Sequence, residues 1–257
     1  MSSERPSLWK RVEIVGDIAL IPVPFEYNLQ ELKVYAEEVM SKTKTSAVWG
    51  RKRDVSGRYR LPTYLHLAGE SRSDTLYKEH GCTFYLDLRK VFFSGKLSYE
   101  HRRIAEKVRP GEKVINMFSG FGAISILAYK MRKPSVVYSI DINPFAYYFM
   151  MVNVELNKAY GVIPMYGDAF KRMEELEEVD RVISPLPERD EEAYLSAMKR
   201  LKEGGHLHLF VEVEVERGED PVRKAMDRFP GALEGRIVRS TNPGKYHVIL
   251  DIKKRSH

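Results

Sequence analysis

Residues 113–144 read KVINMFSGFGAISILAYKMRKPSVVYSIDINP, and their pattern decides the fold. The apolar run from Lys113 to Phe118 has the length and composition of a buried strand. Ser119-Gly120-Phe121-Gly122 breaks it, and AISILAYKM resumes with helical spacing. A second buried strand, SVVYSI, follows and ends at Asp141. Strand, glycine turn, helix and strand in this order form a parallel crossover unit. Glycines let a backbone approach a ligand closely, and a helix N-terminus favours anionic or polar groups. The turn alone is weak evidence, because many strand-to-helix turns need glycine.

The alternation continues outward. PFAYYFMMVNVELNKA reads as a helix, GVIPMYG as a third strand and DRVISPL as a fourth. RDEEAYLSAMKRL is a helix predicted to end at Gly204-Gly205, HLHLFVEVEV a fifth strand and PVRKAMDRF a helix. GRIVRS and KYHVILDI form a closing pair that predicts an antiparallel edge. The expected fold is α/β: a mostly parallel, Rossmann-like sheet with helices on both faces. SYEHRRIAEKV reads as a helix leading into it. Residues 1–90 read instead as a small α+β domain. VEIVGDIALIPVP carries strands turned at Gly16-Asp17, and DTLYKEHGCTFYLDL a hairpin turned at His80-Gly81. Between them lies a helix capped by Asn28, with Leu29, Leu32, Tyr35, Ala36 and Val39 on one face. The expected domains are therefore 1–90 and 91–257.

The 257 residues are 43% hydrophobic and 30% charged, which excludes a disordered chain or a disulfide scaffold. No apolar run approaches the roughly 18 residues that span a bilayer, and no apolar signal core follows Met1. One cysteine, Cys82, makes neither an internal disulfide nor a zinc cluster. A metal-free cytoplasmic protein is expected, and a monomer. The single glutamine, Gln30, and the high charge content hint at a thermophile. The net charge of +6 is unevenly placed. Residues 1–110 hold 20 Lys and Arg against 14 Asp and Glu, while the rest balance at 22 against 22. Lys42, Lys44, Arg51, Lys52, Arg53, Arg58 and Arg60 surround a single acid, Asp54. Such a cluster is a solvated loop or a phosphate-contacting surface for nucleic acid.

Asp141, about 20 residues beyond the glycines, stands where an acid accepts the ribose hydroxyls of a nucleoside cofactor. The alternative is a helix-capping acid. Asp168, after the third strand, is placed either to meet an adenine amino group or to cap a helix. A dinucleotide site spells Gly-x-Gly-x-x-Gly, and the third position here is Ser125. S-adenosylmethionine enzymes tolerate the shorter turn. Pro185-Leu186-Pro187, after the fourth strand, sets backbone carbonyls at the site mouth or forms an ordinary loop.

Asn116 to Gly122 with Asp141 to Pro144 resembles the class I S-adenosylmethionine-dependent transferases. With GRYRLPTYLHLAGESRSDTLYKEHGCTFYLDLRKVFFS and KLSYEHRRIA upstream, the resemblance narrows. It is to the tRNA (guanine-N1)-methyltransferase and wybutosine-synthesis aminocarboxypropyltransferase superfamily of archaea and eukaryotes, over roughly residues 48–257. It implies a class I methyltransferase fold, S-adenosylmethionine as cofactor, and action on the guanosine 3′ of the anticodon or its tricyclic wyosine derivative. Phe118, Ser119, Gly120, Phe121 and Gly122 match the cofactor turn, and Asp141, Ile142 and Asn143 the ribose-binding segment, with Asp168 nearby. Glu100 falls on the proposed proton acceptor. Ser94-Gly95-Lys96 replaces serine-proline-arginine, His101 an arginine, and Asn116 an acid. Asn-Leu-Pro of the methyltransferases is Pro185-Leu186-Pro187 here, so the asparagine side chain that would contact the base is missing.

That loss counts against guanine methylation by the usual route. The expected lack of the methyltransferases' extra N-terminal domain and the closing strand Asn242 to Asp251 tilt the reading toward aminocarboxypropyl transfer. Asp141-Ile142-Asn143-Pro144 is spelled closer to the methyltransferases, so methyl transfer is the alternative. Glu100, Lys96, His101 and Pro185 to Pro187 are the candidate catalytic set. The basic N-terminal domain is expected to dock the tRNA anticodon-loop region, with no membrane partner. His206 and His208 read as sheet-face histidines. Two other classes remain: a catalytically inactive RNA-binding relative, and a nicotinamide-dependent dehydrogenase.

Overall fold

In the computed structural model, residues 11–59 and 61–255 are described. The chain divides into two compact units, Met1–Lys96 and Leu97–His257.

The first unit holds a four-stranded sheet in the order β1-β2-β3-β4. Its strands are β1 (Glu13–Val15), β2 (Ile18–Pro22), β3 (Ala47–Ser56) and β4 (Leu61–Gly69). β2 and β3 are parallel and the outer pairs antiparallel. Parallel neighbours need a crossover, which α1 (Leu29–Thr43) supplies. The Asn28 side chain accepts from the N–H groups of Gln30 and Glu31, at 2.9 and 3.2 Å, and starts the helix. Leu32, Tyr35, Ala36 and Val39 pack onto Ala19, Ile21, Val48 and Leu67. Leu29, expected on that face, is exposed instead, because it sits at the first helical position before the stripe meets the sheet. β5 (Asp74–Glu79) and β6 (Cys82–Asp87) form the expected hairpin. His80 and Gly81 both have positive φ, the pairing a two-residue hairpin turn demands.

The second unit opens with α2 (Ser98–Lys107) and then alternates: β7 (Lys113–Asn116), α3 (Ala123–Arg132), β8 (Val136–Asp141), α4 (Pro144–Asn157), β9 (Val162–Tyr166), α5 (Ala169–Glu174), β10 (Val179–Ser184), α6 (Asp190–Arg200), β11 (Leu201–Glu214), α7 (Pro221–Arg228), β12 (Ala232–Asn242) and β13 (Lys245–Lys253). The sheet order is β12-β13-β11-β10-β7-β8-β9, with β7 to β11 mutually parallel. β13 runs antiparallel to both its neighbours. The chain therefore reverses its direction of winding at β7 and β10, which opens a crevice above their carboxyl ends.

The closing pair forms the antiparallel edge of the sheet, with β13 inside, between β11 and β12. Val248 to Leu250 and Ile252 are fully buried, whereas β12 alternates with exposed polar residues and takes the edge. Contrary to expectation, Gly204-Gly205 does not end α6. The helix stops at Arg200, and both glycines lie within β11. There Gly204 has φ +75°, and a Cβ on Gly205 would come within 3.0 Å of the Asp180 carbonyl. The pair lets the strand kink past β10, where the register slips.

Candidate functional site

The crevice is built from four strand ends, those of β7, β8, β9 and β10. After β7, the Ser119 N–H donates to the Ile140 carbonyl at 2.9 Å, so the glycine turn is tied to β8. Gly120 N–H donates to Asp141 Oδ2 at 2.8 Å, and Asn143 N–H to Asp141 Oδ1 at 2.9 Å. Asp141 thus joins two loops while each oxygen retains a lone pair. Burial pushes its carboxyl above the usual range, against the two N–H groups that favour the anion.

Gly120 and Gly122 are glycines for different reasons. Both have positive φ, +56° and +97°. A Cβ on Gly120 would meet nothing within 4 Å, so the backbone there faces open space. A Cβ on Gly122 would press Ile126 and Met150 at 3.2 Å, so that glycine lets α3 sit against α4. Ser119 is buried and its hydroxyl donates to the Asn116 carbonyl at 3.1 Å. Phe121 is buried, and its carbonyl accepts from Asn153 Nδ2 at 2.9 Å. Phe118 packs edge-on against Phe170, with centroids 5.9 Å apart. Ile142 is 39% exposed beside Asp141. Asn143 caps α4 by accepting from Phe145 N–H at 3.0 Å. Asp168 caps α5 through Oδ1, accepting from Phe170 N–H at 2.9 Å. It lies next to Gly167, whose N–H donates to the Asp141 carbonyl. The loop after β10 joins this rim: Pro187 is buried, Pro185 and Leu186 are partly exposed, and Arg189 stacks on Phe170 at 4.3 Å.

Sequence reasoning missed Asn153, Ser125 and Ser139. Asn116 Nδ2 donates to Ser125 Oγ at 3.0 Å, and Ser139 Oγ lies 2.5 Å from the same oxygen. All three are buried under the turn. An asparagine inside the apolar run FMMVNV was the available signal for Asn153.

Glu100 is engaged by partners on two elements. It is buried, and its oxygens are engaged by Arg103 Nε at 2.9 Å and Arg236 Nε at 2.9 Å, on α2 and β12. Each Glu100 oxygen keeps a lone pair beyond its guanidinium partner. His101 is half-buried on α2, and Lys96 is exposed at the end of the first unit.

Glu100 ends a buried ionic ladder. Arg103 also donates to Asp251 at 2.8 Å, and Lys107 to Asp251 at 2.5 Å. His208 Nδ1 lies 2.6 Å from Asp251, and its Nε2 2.7 Å from Arg181, whose fork closes on Glu112 at 2.7 and 2.9 Å. A guanidinium can only donate, so His208 Nε2 accepts and Nδ1–H faces Asp251. Burial favours this neutral form by pulling the His208 pKa down. His208 is thus more than a sheet-face residue, while His206 lies one pair along the strand.

In the first unit the basic cluster separates. Lys42 and Lys44 close α1, and Arg53 and Arg58 lie toward the far end of β3 and its turn, exposed. A ten-residue strand at about 3.3 Å per residue sets roughly 30 Å between the two ends. Arg51 is committed to Glu13 at 3.2 Å and the Tyr64 hydroxyl at 3.2 Å. Lys52 stacks on Tyr27. Arg60 lies outside the described residues.

Comparison with known proteins fits this geometry. Residues 75–232 match the TRM5/TYW2 methyltransferase domain. The chain is 59% identical to the tRNA 4-demethylwyosine(37)-methyltransferase Taw21 of Saccharolobus solfataricus, covering 97% of this chain and 96% of that one. It is 31% identical to the tRNA(Phe) (4-demethylwyosine(37)-C(7)) aminocarboxypropyltransferase of Methanocaldococcus jannaschii, covering 93% and 96%. It superposes on aTrm5 from its complex with tRNALeu with a TM-score of 0.85 at 31% identity, over 96% of this chain and 73% of that one. The chain belongs to the TRM5/TYW2 methyltransferase family, whose members are S-adenosylmethionine-dependent transferases acting on tRNA.

Proposed function

We propose that the protein transfers the methyl group of S-adenosylmethionine to 4-demethylwyosine at position 37 of tRNA, the position 3′ of the anticodon. The observation that carries this reading is the 59% identity to Taw21 across nearly the whole of both chains, against 31% to the aminocarboxypropyltransferase. The aminocarboxypropyl transfer favoured by Pro185 and the closing strand becomes the second reading. Methylation of guanosine itself stands behind both, because proline supplies no side-chain hydrogen bond to the base.

The residues of the crevice fit the cofactor. Open space beside Gly120 admits it, and Asp141 has lone pairs left for ribose hydroxyls. Ile142 offers an apolar face to an adenine ring, and Asp168 has its second oxygen for the amino group. Bound there, S-adenosylmethionine supplies an electrophilic carbon beside a sulfonium. The chain's own contribution is positioning. Asn153 and the Asn116–Ser125–Ser139 cluster hold the glycine turn, and the rigid Pro185-Leu186-Pro187 loop presents backbone carbonyls at the rim. Holding reactants in a near-attack geometry is worth several kcal/mol of barrier, of the order of 7–11 in favourable cases. Glu100 anchors α2 through Arg103 and Arg236.

The test uses S-adenosylmethionine labelled separately on the methyl and aminocarboxypropyl groups. It is incubated with tRNA bearing guanosine or 4-demethylwyosine at position 37, and the labelled nucleoside is identified. Methyl label on the tricyclic base alone is expected. Aminocarboxypropyl label would replace this reading with the second.

A further inference from the structure

The first unit carries an exposed aromatic and basic surface that the crevice does not use. Phe25 is completely exposed and Tyr27 is 40% exposed, in the segment leaving β2. That segment runs beside β3, where Pro22 pairs with Arg51 and the Val23 N–H donates to the Arg51 carbonyl. Lys52 Nζ lies 5.9 Å from the Tyr27 ring, and the Arg58 guanidinium 5.9 Å from the Tyr59 ring. Arg53 is exposed on the same strand as Lys52. Of the two acids on these segments, Asp54 accepts from Thr63 at 3.0 Å, and Glu26 is exposed.

Burial does not explain Phe25: a fully exposed phenyl ring gains nothing from folding. Trp49, by contrast, is buried, and its Nε1–H donates to the Arg72 carbonyl at 2.9 Å. Aromatic faces flanked by cations match a single-stranded nucleic acid, whose bases present π faces and whose phosphates sit alongside. A duplex offers phosphates but hides its base faces. We infer that Phe25 and Tyr27, with Lys52, Arg53, Arg58 and Tyr59, form a stacking platform for unpaired bases of the substrate RNA. This inference rests on the proposed action on tRNA.

The test compares wild type with the double variant Phe25→Ala/Tyr27→Ala. Binding is measured by fluorescence anisotropy on an anticodon stem-loop RNA and on a blunt, fully paired RNA duplex, from 50 to 200 mM salt. The expected result is about ten- to hundredfold weaker binding of the stem-loop, an unchanged salt slope and unchanged duplex binding. An unaltered thermal melt shows the variant folded. Arg53→Ala/Arg58→Ala is expected instead to weaken both RNAs and flatten the salt slope by about one to two. Unchanged stem-loop affinity in the aromatic variant, or equal losses on both RNAs, overturns the platform while wild-type methyl transfer leaves the proposed function standing. Wild type that neither binds nor modifies tRNA overturns both.

Discussion

The two faces of the seven-stranded sheet are made by alternate residues of the same strands, yet different forces hold them. One face packs Ile115, Met117, Val182, Leu207, Leu209, Leu250 and Ile252 against α5, α6 and α7. Across the sheet, Asn116, Ser139, Arg181, His208 and Asp251 add hydrogen bonds and ion pairs among the buried Val114, Val137, Ile183 and Ile249. Apolar burial is non-directional and tolerates small shifts. A charge ladder works only at one register, so it dictates where α2 lies. Buried ion pairs add little net stability over a packed apolar core, but an orphaned partner is costly.

That contrast can be broken deliberately. The largest effect is expected from Asp251→Ala, which strands His208, Arg103 and Lys107 and should cost about 3–5 kcal/mol in denaturant unfolding. A loss under 1 kcal/mol would show the ladder to be solvated rather than buried. On the apolar face, Leu250→Ala should cost ~2–5 kcal/mol through lost burial and a cavity. Its penalty should be the same at pH 5.5 and pH 7.5. The wild-type ladder should not be so indifferent. Burial depresses the His208 pKa, so the unfolded chain binds the proton more readily below about pH 6.5. Stability from this group is complete above that pH and declines as pH falls, by at most ~1.4 kcal/mol per unit. A His208→Gln variant should flatten that decline, and an unaltered pH profile would assign it to His206 and His247, which shift the same way. Ser125→Ala, removing one hydroxyl under the glycine turn, is expected to cost about 1 kcal/mol. A smaller value would mean the turn holds without it.

The apolar face was legible in the sequence, and the charged face was not. Alternating strands and helices, the Asn28 cap, the His80-Gly81 turn and the spacing from Gly122 to Asp141 are local signals, readable from a few consecutive residues. The ladder joins residues far apart: His208 and Asp251 are separated by 43 positions, Arg181 and Glu112 by 69, and Arg103 and Asp251 by 148. No periodicity announces such a pairing. Glu100 was read from its helix position alone, and its partner Arg236 on a distant strand left no local signal. The basic cluster is spread for the opposite reason: neighbours in sequence are carried apart by the extension of a strand. Gly204-Gly205 resembled a helix stop because a glycine pair serves a strand kink equally well.

The interior position of β13 bears on biogenesis. β12 reaches the sheet only through β13, yet the ribosome delivers β12 first. While residues 232–242 emerge, their natural partner does not yet exist, and the flank of β11 that β13 will occupy stays open. The nascent chain therefore waits with an unsatisfied strand edge, the kind of surface on which chaperones act and aggregates nucleate. Arrival of residues 245–253 closes β11 and seats β12 in one step, so β13 completes the sheet.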